Sequence, residues 1–94
     1  MLGSFKEVKD AEPELKEWSK KFKKQVEMRT NKEYDTFEAV KYTTQVVAGT
    51  NYKLKVHCGG DKYLHVKVHK PLPNSNEIEK VTEVEEDRKL EDEL

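Results

Sequence analysis

The clearest periodicity in the chain runs through Leu15, Trp18, Phe22 and Val26. Steps of three, four and four put these side chains on one stripe of an α-helix. Gln25 and Arg29 flank the stripe, while Lys16, Glu17, Lys20, Lys21, Lys23, Lys24 and Glu27 fill the solvent side. The spacing predicts a helix over residues 11–30. Pro13 suits its first turn, where a missing N–H costs nothing. Asp10 stands where a cap would, and Thr30 with Asn31 marks the stop. Glu12 and Glu14 at the start and Arg29 at the end agree with the helix dipole. A single amphipathic helix needs a surface to cover its apolar stripe.

The rest of the chain offers that surface, because its period falls to two. Leu54, Val56 and Cys58 alternate with Lys53, Lys55 and His57. After Gly59-Gly60-Asp61, Leu64, Val66 and Val68 alternate with Tyr63, His65, Lys67 and His69. These are two half-buried strands joined by a short glycine turn. Residues 34–47 form a longer strand-like stretch. In it Phe37 and Ala39 share one face and Val40 and Tyr42 the other, so either both faces are covered or a bulge shifts the phase. Pro71 and Pro73, with Asn74, Ser75 and Asn76, mark a connection, since proline cannot donate to a central ladder. Ile78, Val81 and Val84 recur every third position, a spacing that fits a last strand or a helix. The charged residues 85–94 are expected to pack poorly. The pattern predicts an α+β fold: one amphipathic helix on a twisted antiparallel β-sheet of four to five strands, in a single domain over residues 1–94.

Composition narrows the function. The chain has 94 residues, with 18 Lys+Arg against 19 Asp+Glu and a formal net charge of -1. That balance lacks the basic surplus of a nucleic-acid binder, so no nucleic-acid partner is expected. No apolar run is long enough for a membrane span and none follows the start as a signal peptide would, so no membrane partner and a cytoplasmic location are expected. One cysteine permits no internal disulfide. Cys58 beside His57, with Asp61 and His65 nearby, invites comparison with a thiol enzyme. Its place on the face of Leu54 and Val56 reads instead as a small buried hydrophobe. His57, His65 and His69 alternate along a hairpin as zinc ligands might, but they share their face with Lys53, Lys55 and Lys67, a basic solvated surface. No catalytic residue, cofactor or metal is expected.

One segment does not suit a bland domain. Gln45, Val46, Val47, Ala48 and Gly49 lie between two strand-like runs. Hairpin tips normally face water, so a tip carrying two valines reads as an element that inserts into a partner's groove. The alternative is that both valines belong to long strands and the turn falls at residues 48–51. The string Gln45-Val46-Val47-Ala48-Gly49-Thr50-Asn51-Tyr52 resembles the signature of the cystatin family, inhibitors of papain-like cysteine proteases. Glu38-Ala39-Val40 with Tyr42, Asp61-Lys62-Tyr63, Val66-Lys67-Val68 and Leu72-Pro73 extend the likeness over nearly the whole chain. The absence of disulfides and leader is similar to the stefin branch, the intracellular type 1 cystatins.

The resemblance implies a cystatin-like fold and a wedge of three elements that enters a protease cleft. The trunk would contribute Leu2, which addresses the apolar S2 pocket, and Gly3. The first hairpin would contribute Gln45, Val46, Val47, Ala48 and Gly49 over the catalytic residues. The second would contribute Leu72 and Pro73 on the primed side. The implied partners are papain-like, cathepsin-type cysteine proteases, blocked reversibly, tightly and competitively without any chemistry on the inhibitor. A stefin-like interaction scaffold with weak or no inhibition is the alternative. The expected state is a monomer, with a domain-swapped dimer through an opened first hairpin as the other state that the resemblance implies.

Overall fold

The computed structural model describes residues 3–94. Leu2 lies outside them. Five strands follow one another in an antiparallel meander: β1 (Lys9–Asp10), β2 (Glu38–Val47), β3 (Gly49–His57), β4 (Tyr63–Lys70) and β5 (Lys80–Arg88). Between β1 and β2 a helical segment crosses one face of the sheet. It comprises α1 (Pro13–Ser19), a 3-10 turn (Lys20–Phe22) and α2 (Lys23–Thr30). The backbone stays right-handed at both junctions, so the segment is one amphipathic helix with a tightened middle turn. Beside that turn the buried Ser19 hydroxyl donates to the Lys16 carbonyl at 2.8 Å, a side-chain bond of the kind that perturbs a regular helix. Pro13 occupies the first turn and Asn31 ends the helix in the left-handed conformation at φ 58°. Asp10 is not the cap that the sequence suggested. It sits in β1 and pairs with Lys41 at 2.8 Å, which holds its carboxyl below the usual range. The N-cap position belongs to Glu12.

Strand register sorts the side chains into rows. On the helix side Ala39 stands beside Val56 and Leu64, Tyr42 beside Leu54, Val66 and Val84, and Thr44 beside Tyr52, Val68 and Val81. Phe22 and Val26 press onto these rows, with Tyr34 and Phe37 closing the end. Each such fully buried apolar side chain contributes about 1.5–3 kcal/mol. Gln25 and Arg29, at the margin of the stripe, bind the last strand: Gln25 Oε1 accepts the Val81 N–H at 2.9 Å, and Arg29 donates to the Val81 carbonyl at 3.2 Å.

Two irregularities explain what periodicity left open. The register shifts between Ala39 and Lys41, so Val40 is the extra residue of a bulge and Ala39 and Tyr42 both face the helix. On β5, Lys67 opposes Glu83 while Val68 opposes Val81. Thr82 is skipped, and this is how Val81 and Val84, three apart, share one face of a strand. Ile78 takes no part, being 80% exposed before β5 begins.

The opposite face departs from the expected solvated surface. Lys55 is 1% exposed, because residues 89–92 fold back across it. Its ammonium donates to the carbonyls of Lys89 at 2.7 Å, Leu90 at 2.9 Å and Asp92 at 2.5 Å. Three protons meet three acceptors, which is what lets an ammonium be buried. Burial still lowers its pKa from 10.5. The charged tail is thus packed where poor packing was expected. Directly opposite Lys55 stands His65, whose Nε2 has no hydrogen-bond partner among the described residues. Burial first, then the neighbouring Lys55 charge, lowers the His65 pKa from 6.5, against the pull of Glu85.

Two predictions follow from this packing. Trp18 is half-buried against Phe22 and Tyr52, with ring centroids at 5.0 and 4.7 Å, and its indole N–H donates to Glu79 at 3.0 Å. Trp18→Ala should therefore lower unfolding free energy by about 3 kcal/mol, read from a urea midpoint. His65 resists a proton that the unfolded chain accepts near 6.5, so folding stability should fall as pH drops through and below that value. Comparing urea midpoints at about pH 7.5 and about pH 5.5 should show a smaller loss in His65→Gln than in the parent chain.

Candidate functional site

The far end of the sheet is built by register. Val47 pairs with Gly49, which leaves Ala48 alone at the tip between β2 and β3. The turn is that tight because Gly49 adopts φ +100°, a conformation that side chains oppose. Residues 43–51 contain no ionisable side chain, so the tip is neutral. Val46 is 54% exposed, Ala48 is exposed, and Val47 is half-buried.

The second connection meets the first at its root. Thr50 opposes Lys70, bringing Lys70 and Pro71 against Gly49. A Cβ on Gly49 would fall inside contact with the Lys70 carbonyl oxygen and stand 3.0 Å from Pro71 Cα. Beyond Pro71 the chain turns at once, the Ser75 N–H and hydroxyl both donating to the Leu72 carbonyl at 3.1 and 2.9 Å. Pro73 holds the second position of that turn, where its fixed φ is favourable. Leu72 is left 54% exposed, with Pro73 exposed beside it.

The trunk joins from the other side. Gly3 N–H donates to the Val46 carbonyl at 3.1 Å, and Lys6 N–H to the Thr44 carbonyl at 2.9 Å. A Cβ on Gly3 would press on the Val46 carbonyl oxygen at 3.3 Å. Phe5 lies over the open face, with the Lys53 and Lys67 ammonium groups 4.3 and 5.8 Å from its ring centroid. The structure thus brings Gly3, the residues of the first hairpin and those of the second to one end, in that spatial order. Leu2 is not among the residues so placed.

Gln45 differs from its neighbours. Its side chain is engaged within the chain, Nε2 donating to the Gly3 carbonyl at 2.8 Å and Oε1 accepting from Asn51 Nδ2 at 3.0 Å. Asn51 in turn meets His69 Nδ1 through its Oδ1 at 2.8 Å. Sequence reasoning weighed His69 only as a metal ligand, took Asn51 only as part of the motif string, and passed over the Lys70 carbonyl. A signal existed: counting outward from the Gly59-Gly60 turn pairs Asn51 with His69.

The other residues weighed for chemistry do not converge. Among the described residues, no group of three His, Cys, Asp or Glu stands ready to hold a metal ion. His57, His65 and His69 fall in different rows, opposite Tyr63, Lys55 and Asn51. Cys58 is free, half-buried and packed against the core, and burial raises its thiol pKa from the usual 9.0, opposite to the shift that activates a nucleophilic thiol. Among the described residues no helix is long and apolar enough to cross a membrane.

Comparison with known proteins agrees with this geometry. Residues 3–91 match the family described as Cystatin domain. The chain is 49% identical to Cystatin-A of Homo sapiens over 92 residues, covering 98% of this chain and 94% of that one. It is 46% identical to Cystatin-A1 of Sus scrofa over 94 residues, covering 100% of this chain and 91% of that one. It is 44% identical to Leukocyte cysteine proteinase inhibitor 1 of Sus scrofa, with the same two coverages.

Crowding at the tip means that Gly49→Ala cannot be silent. Strain at φ +100° alone costs about 1–3 kcal/mol, and the contact with the Lys70 carbonyl adds to it. A fall in unfolding free energy of that size or more, read from denaturant unfolding, is expected.

Proposed function

The chain belongs to the cystatin family, whose members are protease inhibitors and not enzymes, and on that premise we propose that it is a reversible, tight-binding, competitive inhibitor of papain-like cysteine proteases of the cathepsin type. The observation that carries this reading is the neutral apolar edge at one end of the sheet, where trunk, first hairpin and second connection stand side by side. A substrate cleft is a groove about one extended chain wide, and the edge has the form to fill it.

The proposed mechanism is occlusion. The tip of the first hairpin, at Val46, Val47, Ala48 and Gly49, covers the catalytic residues without presenting a peptide bond in cleavable register. Gly3 and Leu2 cover the non-primed side, with Leu2 in the S2 pocket. Leu72 and Pro73 cover the primed side. Val46 and Leu72 are already exposed, so their apolar surface is gained on binding at about 25 cal/mol per Å². Both sit on turns fixed by backbone hydrogen bonds, which lowers the ordering cost of association. Gln45 acts indirectly in this scheme, by fastening Gly3 to the hairpin.

We further read the protein as a single-domain monomer that works in the cytoplasm, following the stefin likeness. A domain-swapped dimer would open the Val47–Gly49 turn and take the tip out of use.

The direct test titrates active papain with the protein while a small substrate is hydrolysed. Saturable competitive inhibition is expected, with the protein recovered uncleaved. No inhibition at high micromolar protein would favour the interaction-scaffold reading instead. Within the lead reading, Val46→Asp places a charge that binding must desolvate. It should weaken papain binding by about tenfold or more while the circular dichroism spectrum stays native, since the site is solvent-exposed in the free protein.

A further inference from the structure

We propose that Asn51 and His69 are positioning residues for the trunk, acting through Gln45 as a directional hydrogen-bond relay across β2, β3 and β4. The proposal rests on the inhibitory reading for its purpose, but the relay itself is a property of the free protein. Gln45 opposes Asn51 and Asn51 opposes His69 in the strand register, so the three side chains form one row on the face turned away from the helix. All three are half-buried. The contacts along the row are 2.8, 3.0 and 2.8 Å from the Gly3 carbonyl to the imidazole.

The chemistry of the row leaves one direction open. The Gly3 carbonyl can only accept, so the Gln45 atom that meets it must be the amide nitrogen. That leaves Gln45 Oε1 facing Asn51, and Oε1 can only accept, so Asn51 must present Nδ2. Asn51 Oδ1 is then the atom that faces His69, and it too can only accept. His69 Nδ1 must therefore carry a hydrogen. A backbone carbonyl in the trunk thus dictates the tautomer of an imidazole three strands away.

The relay has a mechanical consequence. Gln45 alone has a long, freely rotating side chain whose amide can leave Gly3 for water. Held by Asn51, which is held by His69, it keeps its nitrogen aimed at the trunk. Loss of the His69 donor lets the Asn51 amide turn, and Gln45 then loses the partner of its Oε1. Gly3 then keeps its backbone bond to Val46 but loses the one to Gln45, and it spends less time aligned with the first hairpin. Gly3 would then have to be ordered during binding, and that cost appears in dissociation.

The experiment has two arms. In the free protein, long-range proton–nitrogen correlation of the neutral imidazole should show His69 as the Nδ1–H tautomer, whereas an unconstrained histidine favours Nε2–H. In the same state, the Gly3 amide should exchange about threefold to tenfold faster in His69→Leu than in the parent chain. An Nε2–H tautomer, or an unchanged Gly3 exchange rate, would overturn the relay. The second arm measures papain dissociation rates for His69→Leu in the full chain and in a chain lacking residues 1–3. The rate should rise about threefold to tenfold in the full chain and stay unchanged in the truncated one. An equal rise in both would mean that His69 acts at the interface or on the fold, and not through the trunk. If papain is not bound by any form, the inhibitory reading fails, while the first arm still decides the relay.

Discussion

Position 49 can carry no side chain, because its backbone is left-handed and because a Cβ there would enter the Lys70 carbonyl and crowd Pro71. The arrangement of the whole working end depends on that vacancy. With glycine at 49, β2 can turn into β3 across a single residue, and the root of the second connection can lie against the first tip. Thr50 then pairs with Lys70, and the same register carries on to Asn51 and His69. Any larger residue would have to part the two connections, and the edge would become two separate loops.

The remainder of the molecule keeps that edge rigid. The helix fills the inner rows with Phe22 and Val26, and it fastens β5 by giving both backbone groups of Val81 a partner on Gln25 and Arg29. On the other face the Lys55 ammonium ties residues 89–92 to the centre of β3 through three carbonyls. That is an unusual place for a charge, and its full satisfaction makes it tolerable. These contacts lie outside the edge itself, and under the proposed occlusion they leave the two hairpins little to reorganise on binding. The trunk is the exception. It is an edge segment held by a few bonds, among them two made by side chains, Gln45 to the Gly3 carbonyl and Thr43 to the Lys6 carbonyl.

Much of this was legible in the chain itself. The stripe of Leu15, Trp18, Phe22 and Val26 and the alternation through Leu54 and Val66 survive translation into structure almost unchanged, because each element has one apolar face and one partner for it. The bulge at Val40 was legible only as one of two options and the one at Thr82 not at all, since a skipped residue changes the period that a pattern search assumes. Lys55 misled for a related reason. Alternation correctly puts it on the face away from the helix, but it cannot say that a distant, charged segment returns to cover that face. At the edge, the residue string located the tip, while the row behind it needed register. Gln45 read as a surface contact until its neighbours across two strands were known.

On the inhibitory reading, the three elements at the end of the sheet form one preformed surface and are used together. Amide hydrogen exchange, measured on the protein alone and saturated with papain, tests it most directly. Protection on binding should be confined to the trunk around Gly3, the tip at residues 46–50 and Leu72, whose amide is the one that exchanges between Pro71 and Pro73, with the helix and the centre of the sheet unchanged. Protection that falls on the helix or on the covered face of the sheet, with the tip exchanging as before, would contradict it.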